Sequence, residues 1–159
     1  GCCCAHVGTI RGLAGRHERL AVVWLDAHGD LNTPETSPSG NLWGMPLRMA
    51  IDEGSVDAAD VALVGARDLD PPEEKYVAEH GIDADVDRAL AGASAAYVAL
   101  DVDVLEPGAV RCFMPVPGGP GPAEVEAILR SIAVRIPGSS RGESAISRKA
   151  SRQRRAWRP

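Results

Sequence analysis

Apolar residues along this chain fall into short unbroken runs, separated by segments with helical spacing. "HVGTIRGLAGRHE" sets Val7, Ile10 and Leu13 on one side of a helix. "RLAVVWL" (19–25) follows as a continuous apolar and β-branched run, the pattern of a strand buried on both faces. "GDLNTPETSPSGN" (29–41) is rich in Gly, Pro, Ser, Thr and Asn and reads as a long loop. Long loops in compact domains are often functional. "MPLRMAIDEG" reads as a helix stopped at Gly54, and "VALVGA" (61–66) as a second buried strand. "PPEEKYVAEHG" is a helix with Pro and Glu in its first turn and Gly81 after its end. "AAYVALDVD" (95–103) is a third strand, "EPGAVRCFMPVPGGPG" a loop, and "PAEVEAILRSIAVRI" (122–136) an amphipathic helix.

Alternating strands and helices predict a parallel sheet with helices on both faces. In such sheets ligands bind beyond the carboxyl ends of the strands. "DAHGD", "ARDLD" and "DVDVLEP" each fall at such an end, so three acidic strand ends converge on one rim.

A length of 159 residues suits one domain with a real core, although aromatics at 4% leave Ala, Val and Leu to build most of it. Charge divides the chain. Residues 138–159 hold seven basic residues against Glu143, leaving ten basic and 21 acidic residues in the first 137. The acidic body argues against nucleic acid as the main partner and suits cations or cationic substrates. The segment 138–159 is polar, basic and aperiodic, and reads as a disordered or non-native tail. No apolar window is long enough for a membrane helix, and no signal peptide is expected. Three of the four cysteines are consecutive (Cys2, Cys3, Cys4), with Cys112 far away; this is no disulfide framework, and a cytoplasmic location is expected. The start "GCCCAHVG" has no Met and no strand ahead of it, so the N-terminal part of a larger domain is expected to be absent.

The strand ends carry the chemistry. On an extended chain Asp26, His28 and Asp30 point to one side, and Asp101 and Asp103 repeat the i, i+2 spacing. Each pattern has a plainer reading, since Asp after a strand is often a turn residue or helix N-cap. Together they make a hard, oxygen-rich donor set that favours Mn²⁺ or Mg²⁺, with Zn²⁺ or Fe²⁺ admitted by the imidazole. Five donors suit a carboxylate-bridged metal pair better than one small ion.

"DAHGD", "SGNLWGMPL", "GARDLDPPE" and "LDVDVLEP…PVPGG", in this order, resemble the arginase family, the ureohydrolases. The resemblance covers roughly residues 1–136. It implies a three-layer α/β/α sandwich around a mainly parallel sheet, incomplete at both ends, with a partial domain over 1–137. It also implies two Mn²⁺ ions and hydrolysis of a guanidino group, such as that of L-arginine, to urea and an amine by a metal-bridging hydroxide. Asp26 and Asp101 would bridge the metals, His28 would bind one, and Asp103 would complete the second site. Asp30 would bind metal and act catalytically by hydrogen-bonding the hydroxide. Asn32, Ser37 and Ser39 match positions that grip the substrate's α-carboxylate, and Asp70 and Glu73 those that hold its α-amino group. Hydroxyls and an amide do suit a carboxylate, as acids suit an ammonium. The family often forms trimers or hexamers.

Four features depart from the family pattern. Cys3 falls where the family has its first metal-binding His, with Cys2 in place of an Asp, and His6 is out of register. Trp43 replaces a His thought to shuttle protons; it could instead wall the pocket or stack on a guanidinium. Met114 replaces a Thr, and no residue matches a later Glu that pairs with the guanidinium. These departures keep two alternatives open: an agmatinase-like, guanidino-acid or formimino-compound hydrolase, or a truncated, inactive metal-binding homologue.

Overall fold

The computed structural model describes residues 3–136; Cys2 and the basic segment 138–159 lie outside the described residues. The elements run α1 (Ala5–Ala14), β1 (Leu20–Leu25), α2 (Pro46–Asp52), β2 (Val61–Val64), α3 (Pro71–His80), α4 (Val86–Leu90), β3 (Ala95–Leu100) and α5 (Pro122–Arg135). The three strands form one parallel sheet in the order β2-β1-β3, with Val22 opposite Val61 on one side and Tyr97 on the other.

β1 is the central strand and is buried along its whole length. Successive side chains face opposite sides of a strand, so its apolar run feeds two cores. Leu20, Val22 and Trp24 pack with Ile10 of α1, Leu47 and Ala50 of α2, and Tyr76 of α3. Ala21, Val23 and Leu25 pack with Ala89 and Leu90 of α4 and with Val125 and Ile132 of α5. The result is the expected three-layer α/β/α arrangement. Among the described residues, no helix is long and apolar enough to cross a membrane.

Three local features differ from the reading of the sequence. α4 is not anticipated; it is short, and it starts where the Asp85 carboxylate accepts the Asp87 and Arg88 amides. β3 ends at Leu100, and Val102–Val104 form a 3-10 turn instead of continuing the strand. The Asp101 carboxylate caps that turn, accepting the Asp103 amide at 3.1 Å, which is the plainer N-cap role of an Asp after a strand. Finally, residues 26–30 are not a strand. His28 makes one isolated bridge to Asp68, and Asp30 has a left-handed φ of 52°. These side chains therefore converge through a shaped loop, not through strand alternation.

Candidate metal centre

Backbone hydrogen bonds at the strand ends set the depth of the centre. The Asp26 amide donates to the Val64 carbonyl of β2 at 3.1 Å, and the Asp101 amide donates to the Leu25 carbonyl of β1 at 2.9 Å. Each bond extends a ladder one step beyond its strand. They bring the ends of β1 and β3 level, so "DAHGD" and "DVD" meet.

Side chains complete the junction. Asp26 Oδ1 accepts the His28 amide at 2.8 Å and lies 3.3 Å from His28 Nδ1. Asp103 Oδ2 lies 3.2 Å from the same Nδ1, while Asp103 Oδ1 accepts the Ala27 amide at 3.1 Å. Asp26, His28 and Asp103 thus offer ligand atoms all within 4.8 Å of one another. Cys3, Asp26 and Asp30 form a second such group, so Asp26 belongs to both. Asp101 adjoins the second group, with its Oδ2 3.5 Å from Cys3 Sγ.

Burial and mutual repulsion dominate the electrostatics of the cluster. Burial above all, then the charge of Asp26, pushes the Asp30 carboxyl up to about 9. Hydrogen bonds to Asp103 and Asp26 push His28 up to about 10. Burial, followed by the charges of Asp30 and Asp101, raises the Cys3 thiol far above its ordinary value. Asp30 Oδ2 and His28 Nε2 are buried and make no hydrogen bond; Nε2 stands 3.9 Å from Asp68 Oδ2. Buried polar atoms are normally paired. A crowded set of carboxylates with an unpaired oxygen and an imidazole fits hard divalent cations, which would relieve the repulsion and complete the valences. Cys3 fits less well, because a thiol held in its protonated form is a poor ligand.

His6 has a different task. Its Nδ1 is 2.5 Å from Tyr97 Oη, and its ring meets Trp24 edge-on at 5.1 Å, so it is a partnered, half-buried polar group at the edge of the core.

The residues expected to meet the substrate lie mainly on the loop after β1 and at the start of α3. Asn32 is buried; its Nδ2 donates to Asp70 Oδ2 at 2.8 Å and its Oδ1 accepts from Thr36 Oγ1 at 2.9 Å. Ser37 Oγ accepts the Gly40 amide and Ser39 Oγ the Asn41 amide, which is turn chemistry within the loop. Glu73 is buried and takes two main-chain amides, those of Leu31 and Asp70. Trp43 is about half exposed on a 3-10 turn, Leu42–Gly44, and Met114 is similarly exposed on the loop after β3. Asn32 and Asp70 are brought together, as are the hydroxyls of Ser37 and Ser39.

Arg67 escapes the reading of the sequence. Its guanidinium donates to four backbone carbonyls: Gly65 at 2.7 Å, Asp103 at 3.0 Å, Val116 at 2.7 Å and Pro117 at 3.1 Å. It therefore ties the end of β2 to the turn holding Asp103 and to the loop before α5. Gly119 permits this crowding, because a Cβ there would stand 2.3 Å from the Val104 carbonyl oxygen and 2.7 Å from an Arg67 nitrogen. Its signal in the sequence is a lone Arg inside the acidic motif "GARDLDPPE".

Known proteins share the fold of this chain. Residues 4–139 match the model of the arginase family. An arginase of Bacillus subtilis (strain 168) is 36% identical over 142 residues, covering 71% of this chain and 48% of that protein. The crystal structure of an arginase from Bacillus cereus superposes with a TM-score of 0.78 at 30% identity, covering 86% of this chain and 58% of the other. Proclavaminate amidino hydrolase from Streptomyces clavuligerus superposes with a TM-score of 0.68 at 28% identity, covering 87% of this chain and 56% of the other. The chain spans about half the length of the curated arginase from Bacillus subtilis. With the family model matched over most of its length, the chain belongs to the arginase family.

Proposed function

We propose that this chain carries the ligand set of a two-metal hydrolase that acts on a guanidino group, that of L-arginine or a related guanidino amino acid. The observation that carries the reading is the sharing of Asp26 between two ligand groups, Cys3–Asp26–Asp30 and Asp26–His28–Asp103. A carboxylate common to two ligand groups is what a pair of bridged ions requires. Asp26, His28, Asp30, Asp101 and Asp103 would hold the ions, and Mn²⁺ suits this oxygen-rich set with one imidazole. When bound, two such ions supply Lewis acidity that makes water nucleophilic near neutral pH.

The chain's own groups do the rest. Asp26 and Asp103 fix the His28 ring from its Nδ1 side. Asp30, buried and with one oxygen unpaired, would accept a hydrogen bond from the attacking water once a bound cation favours its ionised form. Asp70, partly exposed and steadied by Asn32, is the acid left free to meet an ammonium. A panel of L-arginine, agmatine, guanidino acids and formimino compounds tests the reading. Urea release from L-arginine is expected, with loss of activity in Asp30→Asn. Turnover confined to compounds without an α-carboxylate would contradict the substrate assignment.

A second reading has specific support. Asn32 is engaged by Asp70 and Thr36, Ser37 and Ser39 accept amides within their loop, and Trp43 and Met114 replace expected polar groups. These features favour either a different amidine substrate or a metal-binding homologue that does not turn over. Binding of Mn²⁺ without activity on any member of the panel would select the latter.

A further inference from the structure

Glu73 reaches much farther than a helix cap needs to. Its Oε2 accepts the Asp70 amide at 2.9 Å, an ordinary contact at the start of α3. Its Oε1 crosses to the metal loop and accepts the Leu31 amide at 2.8 Å. Gly29 admits the carboxylate on the other side of Asp30: a Cβ on Gly29 would stand 2.8 Å from Oε1 and 3.0 Å from Cδ. One buried carboxylate therefore holds the chain just after Asp30 through the Leu31 amide and lies close against Gly29 just before it. Asp30 is the one non-glycine residue with positive φ among those described, and its unpaired Oδ2 is not anchored by a hydrogen bond. A backbone of that kind persists where its surroundings over-determine it.

We infer that Glu73 is a positioning residue: it holds Asp30 in its left-handed conformation, aimed into the ligand cluster, and links that loop to Asp70. Each of its oxygens already accepts a main-chain amide and the side chain is buried, which suits holding the loop more than meeting a substrate ammonium. The metal part of this inference rests on the two-metal reading; the backbone part does not.

Glu73→Gln separates the two roles. The substitution keeps the size but turns an amide NH₂ toward one of the two N–H groups. In the metal-free chain, the Leu31 amide is expected to exchange about tenfold faster with solvent. Mn²⁺ binding, followed by titration calorimetry, is expected to weaken about tenfold, as for other residues that orient ligands. Where turnover is measurable, kcat falls and KM holds. Unchanged Leu31 exchange and Mn²⁺ affinity, with a raised KM for an α-amino substrate, would overturn the inference. Should Glu73→Gln fail to fold, Gly29→Ala gives the same test, since it displaces the carboxylate but keeps its charge. Unaltered Leu31 exchange in a folded Gly29→Ala variant would equally overturn it. A wild-type chain that takes up no Mn²⁺ would defeat the two-metal reading, while the Leu31 exchange would still decide the role of Glu73.

Discussion

His28 Nδ1 stands 3.2 Å from Asp103 Oδ2, although 75 residues separate them along the chain, and this contact joins the loop after β1 to the turn after β3. The same nitrogen lies 3.3 Å from Asp26 Oδ1. An imidazole between two carboxylates is strongly biased toward its charged form, and a metal taking its place among them must displace a proton.

That bias gives a pH dependence with a definite sign. The folded chain holds the His28 proton up to about 10, against an ordinary value of 6.5, so this group's stabilisation is full below 6.5 and disappears by about 10. Asp30 keeps its proton up to about 9, against 3.8 when unfolded, so deprotonation disfavours the fold across that window. Both slopes point the same way. Asp103, held below the ordinary carboxylate value by His28 despite its burial, stays ionised throughout. The melting temperature of the metal-free chain should fall as pH rises through this range. Mn²⁺ binding should release protons and tighten over the same interval. Calorimetry in buffers of different ionisation enthalpy counts those protons, and zero release would refute the assignment.

Arg67 should matter for both stability and metal binding. Arg67→Met keeps the stem but leaves four carbonyls without their donor. Hydrogen bonds to a charged group are worth about 1.5–3 kcal/mol each at most, and solvent can replace some of these, so a loss of about 3 kcal/mol is expected in urea denaturation. Faster proteolysis between residues 105 and 121 should accompany it, because the loop loses its tie to the turn bearing Asp103.

Cys3 offers a gain-of-function test. Its thiol is held in the protonated form by burial and by neighbouring carboxylates. An imidazole would be a better donor to Mn²⁺ at neutral pH. Cys3→His should therefore strengthen Mn²⁺ binding, whereas Cys3→Ala should leave it nearly unchanged. A marked loss in Cys3→Ala would instead show that the thiol is a working ligand.

Most of the fold was legible because β1, β2 and α5 announce themselves through composition. The run Leu20–Leu25 has nothing polar in it, as a strand covered on both faces requires. α4 was not legible, since five residues give no helical period and only Asp85 marks the start. The end of β3 was overrun because Asp101 turns the chain with its own side chain, a local competition that alternation does not reveal. In the site, residue types at the strand ends were enough to bring Asp26, His28 and Asp103 together. The positive φ of Asp30, the reach of Glu73 to Leu31 and the four acceptors of Arg67 depend on contacts between distant segments, which no spacing in the sequence encodes.

The central claim is that Asp26 is common to two ion sites. Mn²⁺ titration of the wild-type chain and of Asp26→Ala, with bound metal counted after gel filtration, tests it most directly. Two equivalents in the wild type and none in Asp26→Ala are expected, with Asp103→Ala retaining one. A wild-type stoichiometry of one or less, or two ions still bound by Asp26→Ala, would contradict it.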